Sequence, residues 1–449
     1  MLRYIRRLMY FHVAMRLLFT ILVLTSSTAL AQREVRTYYA GNKNRPHEIY
    51  SVAPDNAEKF EGRYIRYYPN GNPALEGFFV NGKKSGVFTE YHENGIPSRK
   101  ITYVNGMRHG PVEIYDENGK KIQKAFYQND LLVDSAHTFY DDGTLWREAV
   151  FKKGKPDGVI REYYPHGTLK KEIHYRYSKP NGVSRTFYPS GIVETEGNYV
   201  NGILTGFFKT YYPNGGLENV FTMREGARNG EYRHYDSLGN LLLVGHFMDG
   251  KLHGDNTGYY PSGMVKHRFK YKEGYKTGTG YMYHPNGVLK QKEYFALNGK
   301  DWIVEEYTDT GLRLSEKKYR DLKPHGEWIF YHEDGKTPKI KETYEAGKLH
   351  GPRTEYFASG KIAREENWKF NMLFGAFKNY YPSGKVESEG EYRSHRKHGL
   401  FTAYYENGQI REQGEYIADK KHKEWKEFNE QGNVIKTYIF KAGILIETK

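Results

Sequence analysis

The chain of 449 residues contains no cysteine. This absence excludes disulfide bonds and attachment to a membrane through a lipidated cysteine. Long apolar runs are also scarce, because the run Leu17–Leu24 is too short for a spanning helix and no later run approaches the required length. We therefore expect no transmembrane segment in the mature chain, and a fold without covalent cross-links.

Residues 1–31 have the organisation of a secretory signal peptide. Arginines precede the apolar run, and the sequence A-L-A at residues 29–31 predicts cleavage before Gln32. An internal start at Met15 would give a more compact signal, and an uncleaved N-terminal anchor is the alternative interpretation. The expected location is periplasmic, associated with the outer membrane, or secreted.

The charge and the aromatic content narrow the class of protein. The formal net charge of +14 falls to about +10 when the four arginines of residues 1–31 are removed. Acids and bases alternate through the rest, so no nucleic-acid partner is predicted. The 42 tyrosines and 24 phenylalanines exclude a disordered chain, which is poor in aromatics, and the 48 glycines predict many turns.

A glycine recurs every 24 residues from Gly71 to Gly335, and after one inserted residue the series resumes at Gly360. Such a period is the signature of a repeat protein. Counted from Gly62 as the first position of repeat 1, this glycine is the tenth position of each unit. The sixteen glycines are Gly71, Gly95, Gly119, Gly143, Gly167, Gly191, Gly215, Gly239, Gly263, Gly287, Gly311, Gly335, Gly360, Gly384, Gly408 and Gly432.

Two aromatic columns accompany the glycines. The sixth position is Tyr in thirteen repeats and Phe in three, and the eighteenth is aromatic except at Met223. Aromatic and β-branched runs bounded by Asn-Gly, Asp-Gly and Ser-Gly turns are typical of β-hairpins. The predicted fold class is all-β: an elongated, single-layer, twisted antiparallel sheet of about sixteen 24-residue hairpin repeats.

The turns and the two faces of this sheet leave alternatives. "YPNG" predicts a type I turn with a G1 bulge, whereas "HENG" and "YENG" also allow a type I′ turn. Under strict alternation the apolar third position and the aromatic sixth cannot share a face. A bulge between them, or two half-buried faces, would resolve this conflict.

The predicted boundaries place sixteen repeats at residues 62–445. Residues 32–61 hold a degenerate half repeat or N-terminal cap, and residues 446–449 form a C-terminal tail. Atypical ends are expected in a repeat protein, because terminal units have only one neighbour to pack on.

The chain resembles the MORN-repeat superfamily, and within it the bacterial MORN-variant repeats often described as antitoxin-like. The resemblance is carried by "YYPNGNPALEGFFVNGKKSG" (67–86), "YYPSGKVESEGEYRSHRKHG" (380–399) and "YYENGQIREQGEYIADKKH" (404–422). It implies a single-layer antiparallel sheet used for contact with proteins or lipids, and the antitoxin label implies neutralisation of a toxic protein.

No motif for catalysis, a cofactor or a metal is found. The sequence lacks G-x-S-x-G, G-x-x-x-x-G-K-[ST] and H-E-x-x-H. Histidines often close a repeat, but equivalent positions in adjacent repeats lie about 9.5 Å apart, too far for two nitrogens that each lie about 2.0 to 2.1 Å from one zinc ion. We therefore expect a non-enzymatic protein with no cofactor, no metal and no catalytic residue. The six histidines are His109, His253, His325, His350, His398 and His422.

Two columns could bind a ligand. Tyrosines at the seventh position and basic residues at the fourth occupy consecutive repeats, and together they could hold a glycan, an anionic lipid surface or an extended peptide. Alternatively, the tyrosines cover the second face of the sheet and the basic residues are simply solvated. Glutamates recurring at the fifteenth position predict cross-strand pairing with lysines. The candidate ligand-binding residues are Tyr140, Tyr164, Tyr188, Tyr212, Arg161, Arg185, Lys209 and Arg233.

Three functional hypotheses follow. The first is a non-catalytic exported scaffold that binds a partner protein or surface polymer in the bacterial envelope. The second is an antitoxin-like or immunity protein that neutralises a toxin. The third, which the sequence supports least, is a carbohydrate-active enzyme.

Overall fold

The computed structural model describes residues 32–41, 43–296 and 300–449. The predicted signal peptide therefore lies outside the described residues. Every regular element in the described ranges is a β-strand, and no helix long and apolar enough to cross a membrane is found among them.

The chain divides into two compact units, one that ends at Lys179 and one that begins at Pro180. In each unit, strands pair antiparallel with strands adjacent in sequence, so each forms a single-layer sheet of hairpins. The predicted all-β hairpin architecture is confirmed. The first unit contains β1 (Arg33–Tyr38), β2 (Pro46–Ala53), β3 (Asn56–Tyr67), β4 (Pro73–Val80), β5 (Lys83–Tyr91), β6 (Pro97–Val104), β7 (Met107–Tyr115), β8 (Lys121–Gln128), β9 (Leu131–Phe139), β10 (Leu145–Lys152), β11 (Lys155–Tyr163) and β12 (Leu169–Arg176).

The second unit continues the same alternation of strands and tight turns. Its strands are β13 (Lys179–Phe187), β14 (Val193–Val200), β15 (Ile203–Tyr211), β16 (Leu217–Arg224), β17 (Ala227–Tyr235), β18 (Leu241–Met248), β19 (Lys251–Leu252), β20 (Gly254–Tyr259), β21 (Val265–Lys272), β22 (Tyr275–Tyr283), β23 (Leu289–Phe295), β24 (Trp302–Tyr307), β25 (Arg313–Arg320), β26 (Lys323–Pro324), β27 (Gly326–Tyr331), β28 (Pro338–Glu345), β29 (Lys348–Tyr356), β30 (Ile362–Lys369), β31 (Met372–Leu373), β32 (Gly375–Tyr380), β33 (Val386–Arg393), β34 (Arg396–Tyr404), β35 (Ile410–Ile417), β36 (Lys420–Phe428), β37 (Val434–Lys441) and β38 (Ile444–Thr448).

The two turns of a repeat differ in type. At "YPNG", Gly215 has φ 86° and its N–H donates to the Tyr212 carbonyl at 2.8 Å. Only the glycine of this turn has positive φ, which is the predicted type I turn with a G1 bulge. "HENG" and "YENG" use the same turn, so the type I′ alternative is not adopted there. The type I′ turn closes the other end of the repeat, where Asn201 and Gly202 have φ 52° and 88°.

A β-bulge lies at the first position of most repeats, and it explains why that position is usually glycine. Two of the three sequence exceptions, Asp134 and Lys423, still adopt the left-handed backbone, with φ 60° and 56°. The third, Trp302, pairs directly with Phe295 with no register shift in that strand pair. The bulge is therefore present without a glycine at two of these sites and absent at the third.

Both faces of the sheet carry partly buried aromatic side chains. The third and sixth positions therefore need not share a face, which strict alternation along a strand forbids. On the inner face, Phe88 at a third position is only 1% exposed and lies edge-on to Phe79 and Tyr103, eighteenth-position rings, with both centroids at 5.3 Å. The sixth position lies on the opposite, outer face. The two aromatic columns therefore do not form one core.

A cluster of buried apolar residues lies on the inner face of repeats 14 to 16. It contains Phe377, Phe401, Ala403 and Trp425, with tyrosines of the eighteenth position packed around it. Trp425 is 1% exposed and its ring centroid lies 5.9 Å from that of Phe401. Gly414 makes room for it, because a Cβ at Gly414 would stand 2.2 Å from a ring carbon of Trp425.

Repeats 12 and 13 replace this apolar packing by an ionic cluster. Arg353 stands at a third position and contacts Glu342 at 3.3 Å and Glu366 at 3.0 Å. The Glu366 side chain is only 3% exposed, and it also accepts a hydrogen bond from the indole N–H of Trp368 at 2.9 Å. A buried pair of this kind costs desolvation and is held by its additional hydrogen bonds.

Candidate functional site

In each unit, a line of side chains crosses the outer face of the sheet. Fourth and fifteenth positions stand directly opposite each other on neighbouring strands, as in the pairs Arg185↔Glu196 and Glu196↔Lys209. We call this line the outer row. In the second unit its members from repeat 6 to repeat 11 are Arg185, Glu196, Lys209, Val220, Arg233, Val244, Thr257, Arg268, Tyr281, Lys292, Glu305 and Glu316.

Acids compensate the basic residues in the first part of the outer row. The guanidinium of Arg161 contacts Glu172 at 2.8 Å, and that of Arg185 contacts Glu196 at 2.7 Å. Lys209 approaches Glu196 more loosely, at 3.8 Å. The predicted glutamate ladder is present, with arginines as well as lysines as partners.

Tyrosines of the sixth position join this ladder. The hydroxyl of Tyr404 donates to Glu389 at 2.7 Å, and that hydrogen bond lowers the pKa of the carboxyl group. Burial, together with the hydrogen bond to Glu365, raises the pKa of Tyr380 to about 12. These hydroxyls act as neutral donors that stabilise charged carboxylates.

The seventh-position tyrosines connect neighbouring repeats. The hydroxyl of Tyr140 donates to the Tyr163 carbonyl and that of Tyr188 to the Tyr211 carbonyl, both at 2.7 Å. Tyr212 does the same to Tyr235 at 2.9 Å. The hydroxyl groups therefore have a structural role that the sequence did not indicate. A histidine can replace the tyrosine, since the Nε2 atoms of His92, His284 and His332 lie 2.8 to 3.1 Å from the equivalent carbonyl oxygens.

The eight candidate residues are thus divided between two columns. Tyr164 lies half-buried at the turn with its ring stacked on His166 at 5.6 Å. Arg233 contacts Glu231 two residues before it in the same strand. Ligand binding by these tyrosines and basic residues stays a prediction.

Ten units match a family model described as the MORN repeat variant. The chain belongs to the MORN repeat variant family. This confirms the resemblance drawn from the repeat motifs, and it supports a repeat scaffold as the general character of the protein. The matched residues are 60–81, 84–105, 108–129, 156–177, 180–201, 276–296, 324–337, 349–370, 375–394 and 397–418.

Other comparisons add little to the MORN assignment. No curated protein matches the chain. Similar solved structures include TcdB2-TccC3 without its hypervariable C-terminal region, at 14% identity and a TM-score of 0.15, covering 90% of this chain and 24% of that one. The Photorhabdus luminescens Tc holotoxin pore is 10% identical, with a TM-score of 0.14, covering 89% of this chain and 25% of that one. The chain spans about a quarter of these proteins, and such scores carry no argument about function.

In MORN repeats 7 to 10 the outer row contains no acid. From Lys209 to Lys292 it carries four cations separated only by valine, threonine and tyrosine. We call these eight row positions the basic stretch. At about 4.8 Å per strand, its seven steps extend over about 34 Å.

Two cations of the basic stretch, Lys209 and Arg233, were identified from the sequence, but Arg268 and Lys292 were missed. Both missed residues stand at the fifteenth position, where the ladder otherwise tends to carry glutamate. The signal available in the sequence was the replacement of glutamate by a basic residue at this position in two consecutive repeats. It became interpretable only when the fourth and fifteenth positions were seen to form one row.

A concavity of about 450 Å³ opens beside Arg268. Its lining includes the hydroxyl side chains of Thr257 and Thr279, the rings of Tyr281 and Tyr283, and one further charge of each sign, Asp255 and Lys270. The combination of a cation, hydroxyl groups and aromatic rings is suited to a polar, ring-containing ligand with a negative charge.

Among the described residues, no group of three or more His, Asp or Glu side chains is placed so that it could hold a metal ion. The repeat-closing His109 instead contacts Asn129 at 3.2 Å.

Proposed function

We propose that the mature chain is a non-catalytic, exported scaffold whose outer face binds a partner protein or a surface polymer of the bacterial envelope. The outer row is the observation that carries this proposal. From repeat 6 to repeat 11 the fourth position alone holds Arg, Lys, Thr, Tyr or Glu, so packing does not dictate it. A regular backbone that displays a variable row is suited to recognition of an extended partner.

Export is part of the proposal and is supported by the sequence of residues 1–31. A charged start, a short apolar run and small residues before Gln32 are the parts of a cleavable signal. Cell fractionation with N-terminal sequencing of the mature protein tests this part directly. A mature protein in the cytoplasm, or one that retains residues 1–31, would contradict it.

The binding role is tested by affinity capture. Residues 32–449 are immobilised and exposed to a bacterial envelope extract, and retained proteins and polysaccharides are identified by mass spectrometry and sugar analysis. We expect one stoichiometric protein or one polymer, retained by the wild type and weakened when Lys209→Gln and Arg233→Gln are combined. Retention equal to that of an unrelated protein of the same net charge would contradict a binding scaffold. Hydrolysis of a polysaccharide by the purified chain would contradict the non-catalytic assignment.

A further inference from the structure

The outer surface of β21 and β23 is the most basic part of the outer face in repeats 9 and 10. Alternate residues of a strand share a face, so Lys266 and Lys270 flank Arg268 on β21, and Lys290 precedes Lys292 on β23. None of these five cations makes an ion pair among the described residues. Arg268 is exposed, in contrast to the paired arginines of the ladder.

The two carboxylates near this surface are outnumbered by its five cations. Asp255 lines the concavity together with Lys270, which stands opposite it, and Glu305 stands opposite Lys292. Glu305 accepts a hydrogen bond from the Tyr307 hydroxyl at 2.7 Å and contacts Arg313 at 3.7 Å, so its charge is already compensated. An excess of positive charge therefore remains on the outer face at these repeats, where it would attract a polyanion.

The shape of the surface points to a linear ligand. Arg268, Tyr281 and Lys292 are consecutive members of the outer row, with a tyrosine ring between two cations. The concavity of about 450 Å³ lies at the Arg268 end of this group. A sugar ring can stack on a tyrosine there while its acidic group meets a guanidinium or ammonium group.

We propose that the basic stretch, centred on Arg268, Tyr281 and Lys292, binds a linear acidic polysaccharide through its carboxylate groups. The proposal names the ligand class of the outer face and so rests on the proposed binding function. Carboxylates spaced along the polymer meet Arg268 and Lys292 and extend toward Arg233 and Lys209, which also contact Glu231 and Glu196, and one sugar ring occupies the concavity. The apolar row members Val220 and Val244 pack against the sugar rings that lie between the charged contacts.

A membrane surface fits these features less well. Part of the basic surface lies inside the concavity beside Arg268, where a flat bilayer cannot reach it. The cations that belong to the row form a line across strands, which matches the shape of a polymer. An extended line of charge also predicts that affinity increases with polymer length, because a longer polymer reaches further cations of the row.

The test uses alginate, a linear polymer with one carboxylate on every sugar, and the mature chain of residues 32–449. Binding of alginate oligosaccharides of increasing length is measured by isothermal titration calorimetry at constant salt. The test variant combines Arg268→Gln and Lys292→Gln. The matched control combines Arg63→Gln and Lys378→Gln, which removes the same two charges from outer-face cations that already contact Glu76 at 2.8 Å and Glu389 at 3.2 Å.

We expect the test variant to lose about tenfold or more in affinity, the equivalent of about 1.4 kcal/mol. The control should stay within about twofold of the wild type, because its cations are locally compensated. Circular dichroism should show the same strand content for all three proteins. Binding should rise with chain length and should be absent for pullulan, a neutral linear polymer.

Three results would overturn the inference. Equal losses in the two variants would show that only net charge matters. Tighter binding to vesicles of phosphatidylcholine and phosphatidylglycerol than to alginate would assign the surface to a membrane. Absence of alginate binding would remove the polysaccharide but leave the scaffold function intact if envelope capture still retained a protein partner. If alginate binding were absent and envelope capture also retained no partner, both the polysaccharide inference and the scaffold function would be contradicted.

Discussion

The inner and outer faces of the sheet are built from the same strands but obey different constraints. On the inner face, third-position rings such as Phe88 and Trp425 are each 1% exposed and fill the space between neighbouring repeats. On the outer face, one row position carries Arg185 in one repeat, Arg233 in another and Tyr281 in a third. The inner face therefore packs the repeats together, and the outer row is free to differ from repeat to repeat.

This difference indicates where function can be encoded in such a protein. A change on the inner face alters packing against two neighbouring strands, so its effect is felt mainly as a loss of stability. A change on the outer face alters charge and shape with little effect on packing. Substitutions on the two faces should therefore separate into effects on stability and effects on binding.

The largest stability effect is expected at Trp425. Trp425→Ala empties the space between Phe401 and Tyr416 in this apolar cluster and should destabilise repeats 15 and 16 by about 3 to 5 kcal/mol. Hydrogen–deuterium exchange of peptides from β35 and β36 measures this loss. Unchanged protection in these strands would show that the inner face is not the main source of stability.

The same type of ion pair occurs on both faces, and this allows a direct comparison. Arg353→Gln removes the guanidinium that Glu342 and the buried Glu366 share, leaving Glu366 with Arg364 as its only ion-pair partner among the described residues, and should cost about 3 kcal/mol. Arg185→Gln breaks a pair whose side chains are 39% and 27% exposed, and should cost less than about 1 kcal/mol. Urea unfolding of both variants measures the two changes. Equal losses would contradict the distinction between the faces.

Close packing on the inner face is tested at Gly414. Gly414→Ala places a methyl group against the Trp425 ring and should destabilise its hairpin by about 1 to 3 kcal/mol. Gly216→Ala is the matched control, because neither glycine has positive φ and the nearest atom at Gly216 belongs to the flexible Asn214 side chain, 3.1 Å away. A similar loss in both variants would point to backbone effects and not to the ring.

A smaller effect is expected where the tyrosine columns meet the turns. Tyr212→Phe removes the hydrogen bond to the Tyr235 carbonyl and should cost about 1 kcal/mol. Tyr275→Phe serves as the control, because that ring is 62% exposed and no hydrogen bond of its hydroxyl is seen in the described chain. Thermal unfolding compares the two. If ligand binding depends on the hydroxyl of Tyr212, the same variant will also weaken capture of the partner.

The smallest effect is expected from pH at His267. Burial lowers the pKa of this histidine, and the nearby charges of Lys266 and Lys276 lower it further. The unfolded chain then binds a proton more readily, so the contribution of His267 to stability is present above its ordinary pKa of about 6.5 and is lost as pH falls through the folded value. His267→Gln should reduce the fall in urea midpoint between neutral and mildly acidic pH. An identical fall in both proteins would contradict this assignment.

Much of the fold was predictable from the sequence because the repeat makes each local signal appear many times. The tenth-position glycines, including Gly215, mark the turn that the structure shows. The bulge at the first position was less predictable, since Asp134 and Lys423 adopt positive φ without being glycine. Trp302 lost the bulge altogether, and no residue type alone distinguishes these outcomes.

The candidate site was predictable only in part. Lys209 and Arg233 belong to the basic stretch and were identified from the fourth-position column. Arg268 and Lys292 were not, because they belong to a different column of the repeat. The seventh-position tyrosines were identified as aromatic, but their hydrogen bonds to the next repeat depend on a carbonyl 23 residues further along the chain.

By itself, the sequence determined the period, the alternation of strands and turns, and the residues that allow the turns, because these depend on neighbours within one hairpin. Only the tertiary structure decided which columns share a face and which charges meet. Pairing between strands, with a bulge in each repeat, sets which side chain stands opposite which. Thus the outer row, where Arg185 meets Glu196 and Arg268 meets no acid, exists only in the folded sheet.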